Sequence, residues 1–577
     1  MVAALLCAVC AIVSAYAILK PRVHPVAVVR NGDIVHIDSW ADTNLPLAHT
    51  DEDVIIHVWS PLPFGALQLY VDDCVQRVAV NGRGVKDDRF PYCNWRDYLT
   101  VDVRGFTHVG SNTVTVKLHN DKGAGSLRAV AAQASVLYRA MLSLLLLAIA
   151  AFGAWWFARE KAAAARVTAC WVAFGSMLRV YYSAYTEFDT RAYDWGGHLE
   201  YIHYIADHWM LPVGSQGWEF HQQPLYYLFG GVVLSITRFL HAEDLFVNVM
   251  HFSSLAMSIA ALCAVAKMAT LLFPEREKHS AVERFAFLGL FATLPGIVML
   301  STRVNNDVPT LLFATLSLAF LVSWWKHGSF EAWAAASGFV ALAFLSKSSA
   351  LPLLAPFALA WLLRKQSART RLATAALLGS LVLVTIGGTY VVRVLIQGQH
   401  ELVPVWVTSG LRVKNFPAAY YTFNPWQVLM HPFNHNWIDE ERRQYMWEYF
   451  FRSAFFGEWE FRSLFDEGST VTLASALLLI PCFLWGIVRS AWKPAKVHAL
   501  FFVLLVTSLA ALACFRYMHP NSSNQELRYV SFLVVPIGYF LAKGMASVRY
   551  RLPFAAVASV MFAASSAFLV LVAMHSQ

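Results

Sequence analysis

A chain of 577 residues that is 57% hydrophobic and 14% charged is not a soluble globular protein, in which roughly a quarter of residues are charged. Its net charge of +8 is no argument for nucleic acid. Many Lys and Arg sit in short stretches between apolar runs, where they set membrane orientation. With a mean hydropathy of +0.48, the chain reads as an α-helical polytopic membrane protein.

In chain order, residues 1–20 come first. Val2 to Leu19 is apolar and about long enough to span. Either it is a retained anchor, favoured by the missing charged n-region, or a signal peptide cleaved near Ala15-Tyr16-Ala17. Residues 21–135 change character. Alternating runs at Val54–Val58, Leu67–Val71, Val78–Val80 and Thr113–Leu118 predict strands. Asn81-Gly82 and Gly110-Ser111-Asn112 read as turns. The prediction is a β-sandwich outside the membrane. Cys74 and Cys93 are the two cysteines in that domain and are expected to form a disulfide in an oxidising compartment. The other six, such as Cys170 and Cys263, lie in or beside apolar segments and pack there. No Cys/His cluster assembles the four ligands of a zinc site.

From Leu137 on, apolar segments near 137–157, 167–182, 247–271, 285–300, 308–325, 332–345, 350–363, 373–395, 471–488, 499–515, 530–541 and 554–572 predict spans. With the first anchor, the count is about thirteen. They divide into a module at 136–396, a long aromatic-rich loop at 397–469 and C-terminal helices at 470–577. An N-terminus inside puts the basic clusters Arg159/Lys161/Arg166, Arg276/Lys278, Lys326, Arg364/Lys365/Arg369/Arg371, Arg489/Lys493/Lys496 and Arg549/Arg551 inside as well. Leu225–Leu240 is then a helix lying in the outer interface. The outer side holds the β-domain, the acidic loop 184–240, the tip Ser301–Asp307, the loop 397–469 and the tip His519–Arg528.

The loop 184–240 is where chemistry is expected. Asp194, His198 and Tyr201 are spaced four and three apart, so a helix would put them on one face. Ile202, Ile205 and Trp209 would give it an apolar side. Either this is an amphipathic helix aiming a carboxylate into a cavity, or an interfacial loop anchored by Trp and Tyr. Glu187 and Asp189 precede it as solvated loop residues.

Two resemblances rest on these motifs. VAVNGRGV, YLTVDVRGF and GSNTVTVKLHND resemble the jelly-roll sugar-binding domain of family 2 glycoside hydrolases. Three further motifs are Tyr193-Asp194 with Gly197-His198 and His221-Gln222-Gln223-Pro224-Leu225-Tyr226-Tyr227; Arg303-Val304-Asn305-Asn306-Asp307; and Leu345-Ser346-Lys347-Ser348. Together they resemble the GT-C superfamily of membrane glycosyltransferases, including protein O-mannosyltransferases and the lipid A aminoarabinose transferase. In the O-mannosyltransferases an Asp-Glu pair occupies this loop; here Trp195 follows Asp194. The resemblance implies an inverting glycosyltransferase that moves a monosaccharide from a polyprenyl-phosphate donor to a glycan, lipid or protein acceptor. It implies an integral membrane protein, in a bacterium one of the inner membrane, with the active site facing the periplasm.

The residue types fit that chemistry. Asp194 would be the base that activates the acceptor hydroxyl. Lys347, with Arg528 and Arg303, would stabilise the leaving phosphate. Asp307 is either a second acid lining the cavity or a helix N-terminal carboxylate. His198, His221 and Tyr226 are candidates for orienting the acceptor. No cofactor is called for, and a divalent metal is not indicated, since two histidines with Glu219 nearby are a poor ligand set. The competing functions are a transporter or flippase of lipid-linked sugar, against which no internal repeat is seen, and a non-catalytic carbohydrate-binding membrane protein.

Overall fold

The structure is a computed structural model, and it describes residues 22–574 apart from 31–32, 37–50, 72–73, 94–98, 120–126, 133–135, 187, 193, 399–410, 437–438, 441, 462, 492–496 and 549–550. The expected anchor at residues 1–20 and Glu187 therefore lie outside the described residues.

Among the described residues, the N-terminal domain has nine antiparallel strands in two sheets. Strands β1 (Arg22–Arg30), β2 (Asp33–His36), β3 (Asp51–Ser60), β5 (Cys74–Val80), β6 (Arg83–Val85) and β8 (Gly110–His119) form one, in the order β2-β1-β3-β8-β5-β6. Strands β4 (Ala66–Val71), β7 (Leu99–Asp102) and β9 (Leu127–Ala132) form the other, in the order β7-β4-β9. Alternation sets the faces. Val54, Ile56 and Val58 pair across the ladder with Val116, Val114 and Asn112. The apolar members meet Leu67, Leu69, Leu99 and Val101 of the second sheet in one core.

Asn81 and Gly82 adopt positive φ, 50° and 76°, the tight hairpin turn that their sequence predicts. Gly110-Ser111-Asn112 corrects expectation. It opens β8 instead of forming a turn, and Asn112 is fully buried. Asn81 Nδ2 donates to Asn112 Oδ1 at 2.9 Å, and Thr113 N donates to Asn81 Oδ1 at 2.9 Å. The two motifs are thus one polar clasp joining β5 and β8. Cys74 and Cys93 are disulfide-bonded, with Cα atoms 4.1 Å apart.

The membrane part begins with α1 (Val136–Arg159) and α2 (Ala163–Tyr185). Then come α3 (Trp195–His208), α4 (Leu225–Phe239), α5 (Phe246–Leu272) and the pair α6 (Ser280–Thr293) and α7 (Pro295–Thr302), bent by 56°. Next are α8 (Asp307–His327), α9 (Phe330–Ser346), α10 (Ser348–Leu363) and α11 (Ala368–Ile396). Short helices α12 (Pro417–Tyr421), α13 (Pro425–Met430) and α14 (Met446–Phe456) precede α15 (Asp466–Ala491), α16 (Val497–Met518), α17 (Ser522–Ser547) and α18 (Arg551–Met574).

The twelve apolar segments after Leu137 are all helical, but the count of thirteen spans is not reproduced. Among the described residues, eight helices are long and apolar enough to cross a membrane, or nine with the bent pair. Helices α9 and α10 are too short, and α2 is long but too polar, carrying Arg166 and Arg179. Helix α4 has 15 residues, short for a span. The stretch 397–469 is not an open loop where it is described. Ala419, Val428, Met446, Tyr449 and Phe456 are buried, whereas Tyr421 and Trp426 face outward. Trp437 lies outside the described residues.

Candidate functional site

Helix α3 starts immediately after Asp194, whose φ of 63° places a non-glycine residue in the left-handed region. Such strain is tolerated where the surroundings fix it. Here the fixing contact comes from Trp218, whose Nε1 donates to Asp194 Oδ1 at 2.8 Å. Beside Trp218, Glu219 is 5% exposed, and its Oε2 is buried with no hydrogen-bond partner among the described residues. Gly197 makes this approach possible. A Cβ there would come within 2.9 Å of Glu219 Cγ and 3.1 Å of Trp218 Cδ1. Burial, and then the charge of Asp194, pushes the Glu219 carboxyl up to about 8.

Asp194 and Glu219 line a cavity of about 720 Å³ together with His221, Gln222, Lys347, Glu458, Arg528 and Tyr529. Lys347 sits in the break between α9 and α10. Its Nζ donates to Asp307 Oδ1 at 2.5 Å and lies 4.7 Å from the centroid of the Tyr529 ring. Arg528 lies against the same ring, 2.9 Å from Glu526 and 3.5 Å from Glu458. Asn306 joins the walls, donating to Gln222 Oε1 at 3.1 Å and to the Ser346 carbonyl at 3.0 Å. The cavity continues over apolar side chains, among them Phe344, Leu351, Ile386, Leu512 and Phe515.

The expected site residues separate into two groups. Asp194, His221, Lys347 and Arg528 line the cavity. Asp307 does not line it: the carboxylate is buried and held by Lys347 and Asn305, which donates to its Oδ2 at 3.1 Å. Arg303 is also buried away from it, with its guanidinium over the Trp459 ring. His198 and Tyr226 are core residues. His198 Nδ1 lies 2.8 Å from the Tyr227 hydroxyl, and burial takes its imidazole down to about 4, so it is neutral. Tyr201 stacks on Tyr227, with centroids 3.9 Å apart, and accepts from Arg393 at 2.9 Å. The face shared by His198 and Tyr201 therefore turns to α4, not to the cavity. Trp209, placed on the apolar side by its spacing, is 59% exposed because α3 ends there in a left-handed residue.

Sequence reasoning gave no site role to Glu219, weighed only as part of a poor metal-ligand set, nor to Gln222, Asn306, Glu458, Tyr529 and Arg393. The Arg393 guanidinium donates to the Pro212 and Gln222 carbonyls at 2.8 and 3.0 Å, tying α11 to the acidic loop. A lone Arg within an apolar run was the available signal. Among the described residues no group of three or more His, Cys, Asp or Glu could hold a metal ion.

The sequence model of the dolichyl-phosphate-mannose-protein mannosyltransferase family matches residues 241–387. That span holds Asp307 and Lys347 and leaves Asp194 and Arg528 outside. Among solved structures, the arabinofuranosyltransferase AftD from Mycobacteria is similar at a TM-score of 0.43 and 15% identity, over 71% of this chain and 27% of that one. The arabinosyltransferase EmbB from Mycobacterium smegmatis is similar at a TM-score of 0.27 and 11% identity, over 92% of this chain and 62% of that one. The chain thus spans about a quarter of the first protein and under two thirds of the second. No curated protein matches it in sequence.

Proposed function

We propose that this protein is a membrane glycosyltransferase of the GT-C superfamily, whose mannosyltransferase family model matches residues 241–387, and that it transfers a monosaccharide from a polyprenyl-phosphate donor to an extracytoplasmic glycan, lipid or protein, with inversion. One observation carries the reading. A single cavity joins three carboxyl groups, Asp194, Glu219 and Glu458, to two cations, Lys347 and Arg528, and runs on over apolar side chains.

The parts divide the reaction between them. The lipid chain lies along Phe344, Leu351 and Ile386. Its phosphate meets Lys347 and Arg528. Lys347 spends one of its three donors on Asp307, and Arg528 has five donors, so both have donors left for phosphate oxygens. Glu219 holds a proton at neutral pH, and Glu458 is engaged by Arg528 at 3.5 Å, so the base is assigned to Asp194. The acceptor hydroxyl gives its proton to Asp194 as its oxygen bonds to the anomeric carbon. The bond from that carbon to the phosphate oxygen breaks on the opposite side, and the electron pair leaves with the lipid phosphate. The leaving group departs as an anion, so it needs no acid.

The test is single-turnover transfer from a radiolabelled polyprenyl-phosphate sugar, with donor affinity measured on the same sample. Asp194→Asn keeps shape and the contact to Trp218 but lacks the basic oxygen. We expect unchanged donor affinity and transfer slowed at least about a hundredfold. Near-normal transfer would take Asp194 out of the mechanism.

A further inference from the structure

A second cavity, of about 680 Å³, lies at the far ends of the same helices. Helix α8 gives the separation. It carries Asp307 at its first residue and Lys326 near its last, 21 residues in all. At 1.5 Å per residue that is about 30 Å, the thickness of a hydrocarbon core. The second cavity therefore faces the other side of the membrane from Asp194, the side to which the sequence assigns the basic loops.

Four separate connections deliver cations to it. Lys278 comes from the link between α5 and α6, Lys326 from the end of α8, Arg489 from the end of α15, and Arg551 from the start of α18. Lys543 adds a fifth from within α17. Among the described residues, two carboxylates line the same cavity, Glu277 and Glu283, and Glu283 is taken by Lys543 at 2.8 Å. Among the described residues, Lys278, Lys326, Arg489 and Arg551 have no carboxylate within ion-pair distance. The Arg551 guanidinium is instead oriented by His279 Nδ1 at 2.7 Å. Apolar Leu272, Trp325 and Val497 complete the wall.

Loop lysines that only set topology need not converge. Here they ring one concave site with an excess of positive charge and an apolar flank. We propose that this cavity binds the phosphate headgroup of an anionic phospholipid of the leaflet opposite the Asp194 site. Basic pockets between helix ends are suited to such headgroups. A free phosphate ion would satisfy the same cations but would make no use of Leu272, Trp325 and Val497.

The experiment is native mass spectrometry of the full-length protein released from micelles with equal amounts of cardiolipin, phosphatidylglycerol and phosphatidylcholine. The wild type should retain anionic lipid in preference to phosphatidylcholine. Lys278→Gln/Arg489→Gln alters two exposed side chains and spares the fold. It should cut retention by about fivefold for each charge removed. Lys326→Gln/Arg551→Gln should do the same. Lys161→Gln, an exposed lysine outside the cavity, should leave retention unchanged. Equal loss in the Lys161 variant would mean diffuse attraction and would overturn the site. So would full retention in both double variants. In a parallel arm, inorganic phosphate at millimolar concentration should fail to displace the lipid. Displacement would assign the cavity to a soluble anion instead.

Discussion

At the scale of residues, the Lys347–Asp307 contact makes one substitution ambiguous and two informative. Removing Lys347 alone strands a buried carboxylate, which costs about 3–5 kcal/mol. Lys347→Ala should therefore lower the thermal midpoint as well as donor affinity. In Lys347→Ala/Asp307→Asn the stranded charge is gone. Stability should largely return, measured as the midpoint in detergent, while donor affinity stays low. Recovery of both would make Lys347 a structural cation only. Glu219 gives a pH test. Its raised carboxyl is neutral below about 8 and charged above it. If the donor is the proposed lipid phosphate, charging Glu219 adds a further negative group to the cavity that holds that phosphate, so transfer should fall as pH rises through that value. Glu219→Gln cannot ionise. It should keep neutral-pH transfer and lose the alkaline fall; an unchanged pH profile would assign that limb elsewhere. Asp194, Lys347 and Arg528 were legible because a charge at the end or break of an apolar run is costly unless a partner or a polar cavity meets it. Glu219 was not, since its distinction is burial beside Trp218, which no spacing encodes. His198 and Tyr226 misled for the same reason. A helical face predicts company, not whether that company is cavity or core.

At the scale of elements, hydropathy found the long apolar helices after Leu137, but not α12 to α14 within 397–469, nor how each helix ends. The apolar segment 285–300, expected to be one span, is broken at Leu294-Pro295, where proline removes a backbone donor. The orphaned carbonyls are met from another helix. Arg179 of α2 is fully buried and donates to the Phe291 and Ala292 carbonyls at 3.0 Å each. It also donates to the Gly175 carbonyl and to Ser258 Oγ, each at 3.0 Å. A polar residue in α2 and a proline between α6 and α7 are thus one device, visible only once the helices are packed. Arg179→Ala should leave those carbonyls unmet, at about 1–3 kcal/mol per buried group. We expect a lower thermal midpoint, with partial rescue by Arg179→Lys, which keeps donors but not the fork. An unshifted midpoint in the Ala variant would mean that water replaces the guanidinium. In the sandwich, alternation located β3, β4, β5 and β8. It missed β1, where Pro25 sits at a register shift, and β7, which is only four residues long.

At the scale of the whole molecule, the sandwich and the membrane module bury separate cores. Val54, Ile56, Val58, Val114 and Val116 pack with the second sheet, whereas Leu311, Phe357 and Leu533 belong to the helical core. A unit with its own core can be removed without dismantling its neighbour. The cavity residues Asp194, Glu219, Lys347 and Arg528 all come from the membrane module. If the reaction is run by that cavity, a variant lacking residues 22–132 should insert, bind polyprenyl-phosphate sugar as before, and transfer to a small soluble acceptor at a comparable rate. If the proposed acceptor is an extended glycan, transfer to it is a different matter. A tethered second module raises the local concentration of whatever it holds. Its loss should raise the acceptor KM by at least about tenfold while kcat at saturation is preserved. The likeness of the sandwich to sugar-binding domains rests in part on Asn81-Gly82 and Gly110-Ser111-Asn112. Those residues clasp β5 to β8, so the motif itself reports the fold and not the ligand. The kinetic split supplies what the motif does not. A KM effect confined to the extended acceptor would make the domain an acceptor-holding module. A fall in kcat with both acceptors would make it part of the active-site architecture, and unchanged kinetics with both would leave it no part in transfer.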